Sequence, residues 1–572
     1  MRPRPSPGSL VWPLLWLATG CTIDVNLIWD AGHADTGHGD ASTETSGTET
    51  SASGSPDLPE DPAATQSALC QVPDGQLDGY LPCEFEPLAA VIAPTIAWTW
   101  TGPGGEDSVV TTPLVANVRD TNGDGFIDLC DAPQIIVAAV ELPEHKTDPW
   151  PAGHLHVIDG DPAFSGSHSF MIPTPIDASV NPALGDLDGD GVPELVALQA
   201  SGPNSPYAVT ARRLVAFKAS GELLWEGAHW HASQGGGAIA LADLDGDGSP
   251  EILAPEYVAT AEGALAWAVP DPAQAYSMPV AVDLDLDLQL EVMYGASAYA
   301  ADGTWLFDLP SIPRNQGSVA IANFDDDPYP ELYVQYHGQQ DGQPHSEHGV
   351  YEHDGTLKAS CPTDAAPLTG LGGYPVAIHD IDGDDKAELL FGFNDNFYVL
   401  SVDGDSCSVR WTTKADTTIG LASGTVFDFL GTGRSEVIYA DRSRVQLFSP
   451  AGELLFIADR TARESISNPI IVDVDGDGGA ELVITSSKPL VAVGDDPPPA
   501  TPTLIVIGSA QARFASTRRI WNQHTYHYSN TSEDGQIPLM ETPHSQGETG
   551  FRVNHPAIAA ESCIPATLRN GR

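Results

Sequence analysis

Eight times between residues 113 and 482 the chain runs from an apolar stretch through a short acidic loop into a second apolar stretch. The clearest copies are PALGDLDGDGVPELVAL (182–198), AIALADLDGDGSPEILAP (238–255) and PIIVDVDGDGGAELVIT (469–485). A second pattern follows each loop, apolar residues alternating about a Gly turn, as in LVAFKASGELLWEG (214–227), YAADGTWLF (299–307), VYEHDGTLKA (350–359) and VQLFSPAGELLF (445–456). Alternation of period two on both sides of a Gly turn predicts paired antiparallel strands. Each unit therefore reads as strand, acidic loop, strand, connection, strand, Gly turn, strand. Four-stranded units in tandem predict an all-β fold, a β-propeller. The first acidic positions lie 66, 57, 40, 40, 57, 48 and 45 residues apart, and eight loops predict eight blades. A ring must close its last blade against its first, and AWTWTG (97–102) is the strand expected to be borrowed for that purpose.

The loops follow the pattern DxDxDGxxE. Side-chain oxygens at positions 1, 3, 5 and 9 of such a turn converge on one point, and a glycine at position 6 allows the sharp bend. An all-oxygen set with no His or Cys selects a hard cation, Ca²⁺. Loop one offers Asp120, Asn122, Asp124 and Asp128. Loop two offers Asp186, Asp188, Asp190 and Glu194, loop three Asp243, Asp245, Asp247 and Glu251, and loop eight Asp473, Asp475, Asp477 and Glu481. These four have Gly at position 6. Loop six (Asp380, Asp382, Asp384, Glu388) has Asp385 there, and Asp tolerates a left-handed backbone better than most residues. Loop four (Asp283, Asp285, Asp287, Glu291) has Leu288, and loop five (Asn323, Asp325, Asp327, Glu331) has Pro328, whose φ is locked negative. Both are expected to bind weakly or with altered loops. Loop seven keeps Asp428 and Glu436 but carries Leu430 and Thr432, and reads as a metal-free relic. The expectation is four calcium sites with every element of the pattern, and up to seven in all.

With these loops and blades in hand, the stretch from about 88 to 520 resembles the FG-GAP repeats of integrin alpha-chain propellers and their bacterial VCBS relatives. The integrin version has seven blades, so the resemblance keeps seven as the alternative to eight. It implies calcium with a structural role on a surface-displayed module. The ends of the chain fit export. Arg2 and Arg4 precede LVWPLLWLA and then LATGC. The apolar part is too short for a permanent membrane span and reads as a signal peptide. The ending resembles a bacterial lipobox, implying residues 1–21 as lipoprotein signal with Cys21 as lipid acceptor, at the outer membrane or cell surface; an ordinary secretory signal, giving a secreted or periplasmic protein, is the alternative. Residues 22–69, rich in Ser, Thr, Gly, Asp and Pro, are expected to be a flexible tether. The propeller is placed at 70–520 and a C-terminal cap or tail at 521–572. Six further cysteines in an exported chain imply three disulfides among 15 connectivities. The expected pairs are Cys70–Cys83, Cys361–Cys407 between neighbouring blades, and Cys130–Cys563.

The net charge is −55, and seven Ca²⁺ ions on 26 ligand carboxylates would leave it near −41. This argues against nucleic acid or an anionic lipid surface as a direct partner and leaves neutral or basic ones. Any membrane contact is expected through the lipid alone, and the ring as a monomer. No nucleophile elbow, HExxH, Walker loop, dinucleotide fingerprint or CxxC pair is present. His337, His345, Glu347, His348 and His353 form a transition-metal candidate whose blander reading is a solvated insertion in blade five. His229, Trp230 and His231 read as packing on a blade edge. Trp521, Asn522, Gln523, His524, Tyr526 and His527 combine aromatic and amide groups as sugar sites do, against the blander reading of a strand and loop capping the last blade. The function readings are a binding or adhesion module for glycan or protein, a polysaccharide lyase or hydrolase on the same scaffold, and a structural envelope component. An enzyme needs basic residues or paired acids at one mouth of the ring, and the chain has only six Lys.

Overall fold

The computed structural model describes residues 66–83, 88–143, 150–161, 169–202, 209–272, 276–325, 327–340, 343–362, 376–393, 395–416, 424–463, 466–489, 501–542, 550–557 and 562–570. The expected signal, Cys21 and nearly all of the expected tether lie outside them. Eight antiparallel sheets follow one another along the chain as the blades of a β-propeller, which settles eight over seven. Blade three shows the plan: Ala240–Ala242, the acidic loop, Glu251–Ala254, Tyr257–Ala259, the Gly263 turn and Leu265–Ala268, paired in that order. From blade two round to blade eight, first strands of successive blades touch one another and so ring the axis. They are short and buried throughout, as in Val280–Val282 and Ile470–Val472. Outermost strands alternate, and Ser406–Lys414 turns every second residue to solvent. The direction of the first strands puts all eight acidic loops on one face.

The last blade closes as expected. Pro94–Trp100 pairs antiparallel with Leu504–Ser509, beside Glu481–Thr485 and Ile470–Val472. The chain's first long strand thus completes its last blade and leaves the ring without a seam edge.

The disulfides correct two expected pairs. Cys70 bonds to Cys130, and Cys83 to Cys563. The segment from Cys70 to Cys83 runs across the acidic-loop face, where the Cys70 carbonyl accepts from the Leu129 amide and the Cys83 amide donates to the Ile564 carbonyl, so each cysteine finds a different remote partner. Cys361–Cys407 joins blade five to blade six as expected. Three disulfides belong to a protein that folds in an oxidising, extracellular setting. Among the described residues no helix is long and apolar enough to cross a membrane.

The tail reaches beyond the last blade. Residues 515–527 run down the axis, and residues 550–555 return beside them. The Ala515 amide donates to Phe429 and the Asp473 amide to the Arg518 carbonyl, at the acidic-loop end. Deeper, Trp521 bridges Val115, the Leu184 amide donates to Asn522, and the Leu241 amide donates to Gln523 Oε1. Near the far end His524 Nδ1 meets Thr112 Oγ1 at 3.1 Å. The chain then returns, and Gly550–Phe551 adds to Ala377–His379 at the inner edge of blade six. All six aromatic and amide residues weighed as a sugar platform are buried here, Trp521 and Tyr526 completely. They stack on each other, ring centroids 4.6 Å apart, and are unavailable to a ligand.

Candidate metal loops and the recess beside them

Loops two, three and eight are built the same way. In loop two Asp186 accepts from the amides of Gly189 (2.7 Å) and Gly191 (2.9 Å), and Glu194 Oε2 accepts from the Leu187 amide (2.9 Å). Loop three repeats this with Asp243 and Glu251, and loop eight with Asp473 and Glu481. One oxygen each from Asp186, Asp188 and Glu194 lies within 4.8 Å of the others, as it does for Asp243, Asp245 and Glu251 and for Asp283, Asp285 and Asp287. Positions 4 and 6 take left-handed backbone, with Gly189 at φ 76° and Gly191 at φ 85°. Loop four holds the same shape without glycine: Leu286 sits at φ 63° and Leu288 at φ 75°, the latter 55 % exposed. Leu288→Gly is therefore expected to stabilise the protein. A left-handed Leu costs about 1–2 kcal/mol, and the added chain entropy of Gly takes back about 0.5–1 kcal/mol. Equilibrium denaturation should show the midpoint rise, and a fall would contradict the assignment of strain.

These sets fit a divalent cation. Burial pushes Glu194, Glu251 and Glu291 up to about 7, and the neighbouring aspartates add to it; burial raises Glu331, Glu388 and Glu436 to about 7 as well. In loop eight burial and mutual repulsion raise Asp473 and Glu481 well above ordinary carboxylates, and Asp475 to about 7. Carboxylates crowded and buried in this way need either protons or a cation.

Loop one departs from the expected set. Its position-2 amide, Thr121, donates to Asp131 Oδ1 (2.6 Å), as does that of Asn122 (3.0 Å). Asp131 thus takes the place that Glu fills in the other loops, and burial raises it to about 6. Asp128 instead accepts from the Cys130 amide and from Gln66. The loop is longer by three residues at this point, which brings Asp131 rather than Asp128 to the position-2 amide.

Loops five and six already hold a cation. The Lys358 ammonium, on the outermost strand of blade five, lies 2.5 Å from Asp325, 3.2 Å from Glu331 and 2.9 Å from Glu352. Burial opposes its charge, yet these carboxylates hold it above an ordinary lysine. In blade six Arg410 pairs with Asp382 and, at 3.2 Å, with Glu388. Asn323 and Asp327 remain on the loop-five turn, where Asn323 Nδ2 donates to the Asp327 carbonyl. Asp380 accepts from the amides of Gly383 and Asp385, the latter at φ 63°, and Asp384 from that of Lys386. Loop seven has only Asp428 and Glu436.

The histidine-rich stretch is an ordered hairpin, Glu331–Gln340 with Gln343–Tyr351, where a solvated insertion was expected. His337 and His348 are buried against Phe393 and Phe391 of blade six, and burial lowers them to about 2 and about 3. They are neutral packing groups. His345 lies 3.7 Å from Glu347, and His353 stacks on Tyr329. His229 packs edge-on against Tyr257, while Trp230 is partly exposed beneath Arg213.

On the acidic-loop face, a recess of about 640 Å³ opens between loops one and two. Gln66, Gln71, Gln76 and Gln536 supply amides, Asp128, Asp190 and Asp534 carboxylates, and Phe126, Ile127 and Val192 apolar surface. One wall is the segment tied down by Cys70–Cys130, another the tail near Ser532.

The sequence matches no family model and no curated protein. Solved structures share the fold. The Vibrio cholerae biofilm matrix protein Bap1 superposes with a TM-score of 0.60 at 19 % identity, over 82 % of this chain and all of that one. A rhamnogalacturonan lyase of Bacillus licheniformis follows at TM-score 0.46, with 13 % identity over 81 % of this chain and 82 % of its own. The rhamnogalacturonan lyase YesW gives 0.45, with 12 % identity over 86 % and 84 %.

Proposed function

We propose that this protein is a calcium-stabilised β-propeller of the FG-GAP/VCBS type, exported and held at the bacterial surface through a lipid on Cys21, and that it binds a glycan or a protein. The observation that carries the binding reading is the recess between loops one and two. Side-chain amides and carboxylates around a half-buried phenyl ring are the groups that hydrogen-bond hydroxyls and cover the apolar face of a sugar. The acidic lining favours a neutral or amine-bearing ligand. The filled axis supports binding over catalysis. Arg518, Arg519, His524 and Arg552, basic residues of the segment that fills the axis, are buried in packing and hydrogen-bonding contacts. Calcium in this reading shapes the loops that form the recess, and its ligands are the carboxylates of the loops that Lys358 and Arg410 do not occupy.

The test is a glycan array with the protein lacking residues 1–21, run in millimolar calcium and again after chelation. Binding that requires calcium is expected. Phe126→Ala and Gln536→Ala should each weaken it about 3–10-fold, the worth of one contact or hydrogen bond. Retained affinity in both variants would remove the recess from consideration, and a blank array with a protein partner recovered from envelope material would select the protein-binding branch. Cys21→Ala should release the full chain from the membrane fraction.

A further inference from the structure

We propose that calcium controls only one arc of the ring, blades eight and one to four, because Lys358 and Arg410 permanently occupy the cation positions of loops five and six. The inference rests on the reading of the loops as calcium sites and sharpens it. The Asp325, Glu331 and Glu352 oxygens that converge within 4.8 Å of one another are the three that surround the Lys358 ammonium. Lys358 is 5 % exposed, so the ammonium is fixed in the site rather than waving above it. Arg410 bridges Asp382 and Glu388, positions 3 and 9 of loop six, the two that must both face a bound ion. A divalent ion entering either loop would have to displace a cation anchored by its own strand. Loop two makes the contrast. Lys218 stands 3.9 Å from Asp188 with its side chain 44 % exposed, a surface pair that leaves the loop interior free.

The division is contiguous. Blade eight lies against blade one, where the Val109 amide donates to the Ser486 carbonyl and Thr485 Oγ1 to that of Thr111. Blades eight, one, two, three and four therefore form one arc, holding both the ring closure and the recess, in which no side-chain cation bridges two loop carboxylates among the described residues; at loop eight Arg513 and Arg569 donate to the Gly478 and Gly476 carbonyls instead. Blades five, six and seven form the other, with two loops neutralised by side chains and one reduced to two carboxylates. Cys361–Cys407 adds a covalent link inside this second arc. Losing calcium would loosen the recess and the closure while blades five to seven keep their form.

Native mass spectrometry of the calcium-loaded protein without residues 1–21 tests this directly. Five bound ions are expected. Six or seven would overturn the inference, whereas none would overturn the calcium reading beneath it and leave the side-chain pairs as ordinary salt bridges. Hydrogen exchange after chelation should show protection lost in the strands of blades eight and one to four and kept in Glu331–Gln340, Glu388–Phe393 and Glu436–Ala440; uniform loss around the ring would overturn it. Lys358→Met should make the protection of blade five calcium-dependent, and unchanged protection without calcium would count against the substitution of ammonium for metal.

Discussion

A chain ending at Ser509 is expected to yield no stable ring. All eight blades remain in such a chain, so a propeller held together by its blades alone would survive the cut. The structure says otherwise. The missing residues satisfy inner-strand amides at Val115, Leu184 and Leu241, and accept or donate at Asp473, Thr425 and Ile471. A buried polar group left without its partner costs about 1–3 kcal/mol, and half a dozen of them rival the whole stability of a domain, about 5–15 kcal/mol. The cut also removes Cys563 from Cys83. A milder variant reaches the same core. Arg519 and Glu533, each 2 % exposed, pair at 2.7 Å, and Arg519 also donates to the carbonyls of Leu129 and Tyr80. Arg519→Met strands a buried carboxylate and should cost about 3–5 kcal/mol, while adding Glu533→Leu should return part of that. Circular dichroism and gel filtration decide the first experiment: a soluble truncated protein with the full-length thermal transition would show that the tail is dispensable.

The contrast between tail and blades explains what the sequence made legible. A blade writes itself into the chain because its strands are neighbours: alternation of period two, a Gly turn and a fixed acidic spacing all lie within some forty residues, and even the borrowed strand Pro94–Trp100 carries a Trp-rich alternation that asks for a partner. Trp521 through His527 are buried against blades one, two and three and against the returning tail at Phe551 and Asn554, so no local period records it, and a polar, aromatic stretch looks like surface. The same limit hid the cations. Lys358 is 33 residues from Asp325 and Arg410 is 28 from Asp382, each arriving from the far edge of its blade. Asp131 was hidden differently, by a three-residue lengthening that moved the closing carboxylate beyond the pattern. Disulfide pairing needed the path of residues 70–83 over the loop face, which no spacing encodes.

Stripping calcium is expected to lower the unfolding temperature sharply, and by more at pH 8 than at pH 5. Extracellular modules bind calcium with Kd of about 10⁻⁴–10⁻³ M, so 10 mM calcium contributes about 1.4–2.7 kcal/mol per site by mass action. Five sites would together approach the stability of the fold itself. The pH dependence follows from the metal-free carboxylates. Glu194, Glu251 and Glu291 sit near 7 in the folded, metal-free protein because of burial, against 4.5 as the ordinary value. Between these values the folded state holds protons that the unfolded chain has released, so metal-free stability is full below 4.5 and is lost as pH rises through 7. Calcium replaces those protons, and its binding strengthens over the same range. His337 and His348 act in the opposite sense, giving stability above about 6.5 that falls away as pH drops toward 3 and 2, but they lie in blade five and do so with or without the metal. The difference between loaded and stripped protein therefore isolates the loops. A calcium increment in unfolding temperature that grows from pH 5 to pH 8 is the expected outcome of differential scanning calorimetry, and an unfolding temperature indifferent to calcium at pH 8 would remove the metal from the fold.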